Sequence, residues 1–333
     1  MTLPALHASW LSSVLDSLPG PEPRSGCGAC PMVGAPSEDT VFAFPADARC
    51  CTTIPAIPNV LVGAALRDPA GPAVESLRAR ISDPRACTPL GVEPPPGLPA
   101  AFRDPLTGYA RARAPRCPHQ QADLTCGIHD TRPAACATWF CRPADGLGGH
   151  RFWRAAFAFL HLLEETAART VALRLLDPAA AEALFPVPGV RPAERPDVWG
   201  RWADDKEGYF RACADEADRL GPAALLAAAG PLGAHRAVQL RAAAASRGVS
   251  LPARITTGDV RRRSFGPSDV VFGYSPHDGL ELPGPLVDAI STVCDGRPTA
   301  DARAALALAG HAVDDGLLLA LIERGVLVEA PAR

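Results

Sequence analysis

The sequence predicts an α+β protein with three successive textures. Three observations carry this. Nine of the eleven cysteines fall between Cys27 and Cys141, in a stretch rich in Pro and Gly. From His150 the apolar residues recur at helical spacing. After Gly248, short alternating runs and capped helices succeed each other. The expected boundaries are an N-terminal helix or extension over 1–24, a cysteine-rich irregular domain over 25–148, a helical segment over 149–250, and a small C-terminal domain over 251–333.

In the first 148 residues, long loops are expected, as in "VEPPPGLPAAFRDPLTG". Such a segment offers few periodic apolar faces, so something other than a large core must hold it. The run "HRFWRAAFAFLHLLEETAARTVALRLL" places Phe152, Ala156, Phe159, Leu160, Leu163 and Thr166 on one face and predicts a long helix ending near Asp177-Pro178. "WADDKEGYFRACADEADRL" predicts a second helix, with Cys213 in its core face. "GAHRAVQLRAAAASRG" predicts a third, stopped at Gly248. Then "DVVFGYSP" and "DGLELP" predict two strands around a turn at 277–279. "GPLVDAISTVCDG" predicts a helix closed by Gly296, and "TADARAALALAG" one with Thr299 as N-cap. "DDGLLLALIERG" predicts a helix capped by Gly325, and "VLVEA" a closing strand. Two strands, three helices and a final strand make a winged-helix-like unit.

Composition narrows the function classes. At 47% hydrophobic and 21% charged the chain can bury a core. A net charge of −3 supplies no broad field for nucleic acid or anionic membrane. The run "RRRSF" at Arg261 is short, so no nucleic-acid partner is expected. No apolar run reaches membrane-spanning length, and the N-terminus does not read as a secretory signal, so a cytoplasmic location is expected. Thiols there are normally reduced.

The cysteine spacing is Cys27-x2-Cys30, Cys50-Cys51, Cys87, then Cys117-x8-Cys126-x9-Cys136-x4-Cys141. An x2 pair brings two thiolates onto one metal with little loop entropy. Four thiolates satisfy tetrahedral zinc or a four-iron cluster. A disulfide framework needs an oxidising compartment, and a lone nucleophilic thiol leaves nine clustered cysteines unexplained. Reduced thiols packed as small hydrophobes remain the alternative to a metal-binding domain. If Cys50 and Cys51 lie in a strand, they face opposite ways and serve two sites, or one of them is a core residue. On a regular helix Cys136 and Cys141 lie about 140° apart, so the helix must end or distort between them if both are ligands. Pro133 suits a first helical position, with Asp130 or Thr131 near the cap. Arg132 then lies beside the Cys136 thiolate and can bind to a centre there. Arg103, Arg111, Arg113, Arg116 and Arg142 flank the same region. Trp139 and Phe140 are placed to exclude water, and His119, His129 and Cys87 are further candidate ligands.

The pattern C-P-x7-C-x-I-x3-R-P-x2-C-x-T-x-F-C, from Cys117 to Cys141, resembles the second half of the YkgJ-type cysteine-cluster family, a zinc- or iron-chelating family sometimes described as iron–sulfur. His129 stands where that family has a tyrosine. The first half departs from it: nineteen residues separate Cys30 from Cys50. The resemblance covers about 120 residues and implies Cys27, Cys30, Cys50, Cys51, Cys117, Cys126, Cys136 and Cys141 as ligands. The vicinal pair and the family description favour an iron–sulfur cluster or iron, with zinc as the alternative. Some relatives are flagellin lysine N-methylases, which implies redox or protein-modifying chemistry. No P-loop and no dinucleotide fingerprint accompanies the cysteines, so enzymatic activity is left open.

Near the C-terminus, Cys294 to Thr299, Asp314-Asp315 and Gly325 to Leu327 resemble the PqqD-like winged-helix domains. That resemblance implies a peptide or protein partner added as a strand to a sheet edge. The competing expectation is a zinc-stapled, non-enzymatic scaffold that presents this module to its partner.

Overall fold

The structure, a computed structural model, describes residues 2–23, 30, 32–33, 49–52, 54–94, 116–184 and 196–331. Cys27, most of the expected proline-rich loop, and Arg103, Arg111 and Arg113 lie outside the described residues. Helices and small antiparallel sheets together make the mixed α+β chain that the sequence predicts.

Helix α1 (Ala5–Ser12) buries His7, Trp10 and Leu11. A 3-10 turn follows at Cys50–Thr52. Strands β1 (Ile57–Pro58), β2 (Cys87–Thr88) and β3 (Gly91–Val92) form a sheet in the order β1-β3-β2, with Val92 opposite both Ile57 and Cys87. Gly91 is obligatory there: its φ is +145°, and a Cβ would stand 2.2 Å from the Ile57 carbonyl oxygen.

Helices α2 (Asn59–Leu66) and α3 (Val74–Ile81) occupy a segment expected to lack helical faces. The difference has a physical reason. α2 is buried nearly all round, from Asn59 to Gly63 and again at Leu66, so it shows no one-sided periodicity. At Gly63 it meets the next layer so closely that a Cβ would stand 1.8 Å from the Phe210 carbonyl oxygen.

Helix α4 is one turn, Ala134–Ala137. Helix α5 (Gly146–Leu175) starts four residues before the expected His150, and its buried face includes Phe152, Ala156, Phe159, Leu160 and Leu163. Asp177 starts a further helix, α6 (Pro178–Ala183), by accepting from the Ala180 N–H at 2.9 Å. Helix α7 (Lys206–Ala228) is capped by Asp205 and kinks at Gly221-Pro222. Helix α8 (Gly230–Ala245) ends at Ser246, two residues short of the expected Gly248 stop. One apolar core runs from Trp10 through Val60, Leu77, Ile128, Phe159 and Cys213 to Leu240. The cysteine-bearing stretch thus shares the core of the helical segment, contrary to the expectation that it has none to use.

The C-terminal module has a second core, with Ile255, Val271, Ile290, Cys294, Leu306 and Leu321. Its elements are β4 (Arg254–Thr257), β5 (Arg261–Phe265), β6 (Ser268–Phe272), β7 (Leu280–Pro283), α9 (Gly284–Val293), β8 (Asp295–Pro298), α10 (Thr299–Leu308), α11 (Asp315–Glu323) and β9 (Leu327–Glu329). They form two sheets, β5-β6-β7 and β8-β4-β9. Three strands, β4, β5 and β8, come in addition to those expected. The basic run "RRRSF" is β5, where Arg262 pairs with Asp269 at 2.6 Å. Gly296 lies within β8, and α9 ends earlier, at Cys294. The N-cap of α10 is Pro298, while the Thr299 hydroxyl donates to the Pro252 carbonyl. Asp314 caps α11 through the Leu317 N–H at 2.7 Å, and Gly325 has the positive φ expected of a helix stop.

The module rests on the start of α5. Arg142 Nε donates to the His277 carbonyl at 2.6 Å, and the rings of His150 and Tyr274 lie 4.8 Å apart. Among the described residues no helix is long and apolar enough to cross a membrane.

Candidate metal centre

The described cysteines form no disulfide with one another. Four of them converge. The 3-10 turn brings Cys51, and its carbonyl accepts from the Cys117 N–H at 2.7 Å. The chain then folds back on itself: Gln120 N–H donates to Cys117 O at 3.0 Å, Gln120 bridges to Cys126, and Gly127 N–H donates to His119 O at 2.8 Å. Helix α4 brings Cys136. The half-buried Cys136 is pushed well above the usual thiol range, first by burial, then by the like charges of Cys117, Cys126 and Cys51, with Arg132 opposing. Burial also raises Cys117, to about 11, with Cys51 adding and Arg80 opposing.

Two guanidinium groups stand beside these sulfurs. Arg132 is buried and donates to the carbonyls of His129 and Thr2, the latter at 2.6 Å. Its charge acts on Cys136, as expected, but it lies in extended backbone before the helix and not on a helical face. Pro133, not Asp130 or Thr131, is the N-cap residue. Arg80, which the sequence did not single out, is also buried. It donates to the carbonyls of Pro55, Val92 and Glu93 at 3.0–3.3 Å and to His119 Nε2 at 2.8 Å.

That contact decides the role of His119. Burial, aided by the charge of Arg80, lowers its pKa to about 3, so the ring is neutral. With Nε2 accepting from Arg80, the proton sits on Nδ1, 2.8 Å from Ser76 Oγ. Both nitrogens are engaged, so in this arrangement His119 joins α3 to the cysteine hairpin and has no free ligand atom. His129 turns outward, with Nδ1 3.0 Å from Asp130.

The short helix carrying Cys136 is held from the interior. Glu164, on α5 and only 1% exposed, accepts from the Ala134 N–H at 2.7 Å and bonds His7 Nε2 at 2.8 Å through the same oxygen. Burial alone would raise this carboxyl. Hydrogen bonds from His161, His7 and Ala134 outweigh it and hold the pKa below the usual value.

The other cysteines have different surroundings. Cys50 is exposed and precedes Cys51 in the same turn. The pair sits in a 3-10 turn and not in a strand, so the expected opposed directions do not apply. Cys30 and Cys141 both pack against the buried Met32. Helix α4 ends at Ala137, so Cys141 lies off the helix that carries Cys136. Cys87 is buried in the first core, where burial raises it to about 12. Cys213 and Cys294 are core residues, as expected. Phe140 is buried against Trp153 at 4.6 Å, and Trp139 is 51% exposed.

Four thiols on three chain segments, with two guanidiniums nearby, are of the donor type that thiophilic metals take. Among the described residues no three His, Cys, Asp or Glu side chains stand ready to hold an ion. Closing the set on a metal therefore requires the sulfurs to draw together. No protein-family model, curated protein or solved structure matches the chain.

Proposed function

We propose that the chain is a metal-binding cysteine-cluster protein, with an iron–sulfur or iron centre on Cys51, Cys117, Cys126 and Cys136. The observation that carries this is the gathering of three thiols around Cys136 from segments already hydrogen-bonded together. The resemblance to the YkgJ-type family supports it on motif residues alone. Iron is preferred because thiols extend past the four: Cys50 adjoins Cys51 in the chain, and Cys30 and Cys141 share Met32. Arg132 and Arg80 offset the excess negative charge of a thiolate centre. Redox or protein-modifying chemistry is the activity class such a centre would serve, in a reducing, cytoplasmic setting.

The second reading is zinc as a staple, with no catalysis. Four is the ligand number that closes a tetrahedral zinc site. In that reading the winged-helix-like module works as a docking surface for a peptide or protein, with the edge strand β5 open to strand addition. Neither reading involves nucleic acid or a membrane.

Anaerobic purification with elemental analysis and a visible spectrum separates the two. Iron with acid-labile sulfide and colour supports the first. Stoichiometric zinc without colour supports the second. Protein that holds neither, when made with both supplied, contradicts both.

A further inference from the structure

Among the described cysteines Cys50 is the exposed one. It follows Arg49 and opens a 3-10 turn in which Cys51 is the next residue. Cys51 in turn is locked to Cys117 by a 2.7 Å backbone bond. An accessible thiol thus stands next in the chain to a member of the four-thiol set, on a segment whose position is fixed. We infer that Cys50 is an oxidation site: a hydroperoxide oxidises it, and Cys51 completes a vicinal disulfide that removes one thiolate from the centre. This rests on the reading of Cys51 as a ligand.

The chemistry balances in two steps. The Cys50 thiolate attacks hydrogen peroxide; an S–O bond forms, the O–O bond breaks, and the leaving hydroxide takes a proton to become water. Sulfur is oxidised by two electrons to the sulfenic acid, and peroxide is reduced. The Cys51 sulfur then attacks the Cys50 sulfur. The S–S bond forms, the S–O bond breaks, and the hydroxyl leaves with the Cys51 proton as a second water. Adjacent residues close a small, strained ring, and strained exposed disulfides are readily reduced again. The step is therefore reversible by a thiol reductant. The exposed surface of Cys50 admits a small peroxide directly, whereas Cys117 is buried and the remaining three members of the set are at most half-exposed.

The test uses the full chain as purified, with its metal content measured first. Stoichiometric hydrogen peroxide is added, free thiols are alkylated, and the tryptic peptide Cys50–Arg67 is weighed; it contains Cys50, Cys51 and no other cysteine. The expected result is loss of two hydrogens and no alkylation on that peptide, reversed by dithiothreitol. Released metal is expected to appear several-fold more slowly from Cys50→Ser than from the natural chain. Oxidation found first on the peptides of Cys117, Cys126 or Cys136 overturns the inference, as does equal metal release from Cys50→Ser. If the protein carries no metal, that is seen before peroxide is added and counts against the metal reading, while the peptide mass still decides the oxidation site.

Discussion

Glu164 reaches from the middle of α5 to the Ala134 N–H, 2.7 Å away, and so fixes the start of the single helical turn that carries Cys136. A four-residue helix has no lasting stability of its own. Here a buried carboxylate, itself held by His7, does what a side-chain cap on the preceding residue would do.

Replacing Glu164 with Ala removes one partner of a buried hydrogen-bonded pair and leaves His7 and Ala134 N–H without it. A loss of about 3 kcal/mol is expected, read as a lower urea midpoint. The pH dependence follows from the depressed folded-state pKa. The contribution is complete above the ordinary carboxylate pKa of the unfolded chain and is lost as pH falls through the lower folded value. Glu164→Gln should therefore flatten the acid limb of a stability–pH curve. An unchanged acid limb would count against this role.

Arg80 satisfies three backbone carbonyls and His119 from a buried position. Arg80→Met should cost about 3 kcal/mol by orphaning them. Arg80→Lys should recover only part, because a single ammonium cannot span that fork of acceptors. Equal stability of all three proteins in denaturant titrations would refute the assignment.

Much of this site was legible in the sequence, for reasons that particular residues show. The family resemblance implied Cys117, Cys126 and Cys136 among its ligands, and "DTRPAAC" predicted the short helix that α4 is. For both Cys136 and Cys141 to be ligands the helix had to end between them, and α4 does end at Ala137. Glu164 was not legible. It lies 157 positions from His7 and 30 from Ala134, so no local pattern joins them. Helix α2 was hidden by its burial on all sides, and β5 by its arginines, four of its five residues being exposed on an edge strand.

Glu22 is another buried carboxylate that only the fold reveals. Its oxygens accept from Trp153 Nε1 at 2.6 Å, Arg247 at 2.8 Å and Ala144 N–H at 2.8 Å. Glu22→Ala should cost about 3 kcal/mol and shift the Trp153 fluorescence to the red as water enters. An unshifted emission maximum with unchanged stability would argue that the network is dispensable.

Cys136→Ser and Cys141→Ser should behave differently. The first removes the sulfur at the middle of the four-thiol set; bound metal should fall away and residues 25–145 become sensitive to protease. The second removes a sulfur packed against Met32 and should leave the metal of the four-thiol set in place. Unchanged metal content in Cys136→Ser would overturn the ligand assignment.

X-ray absorption at the edge of whichever metal the anaerobically purified protein carries tests the central claim most directly. The account predicts a first shell of sulfur alone at about 2.3 Å, as four thiolates around zinc or the sulfurs around cluster iron would give. A first shell of nitrogen or oxygen, or no stoichiometric metal in protein made with iron and zinc supplied, would contradict it.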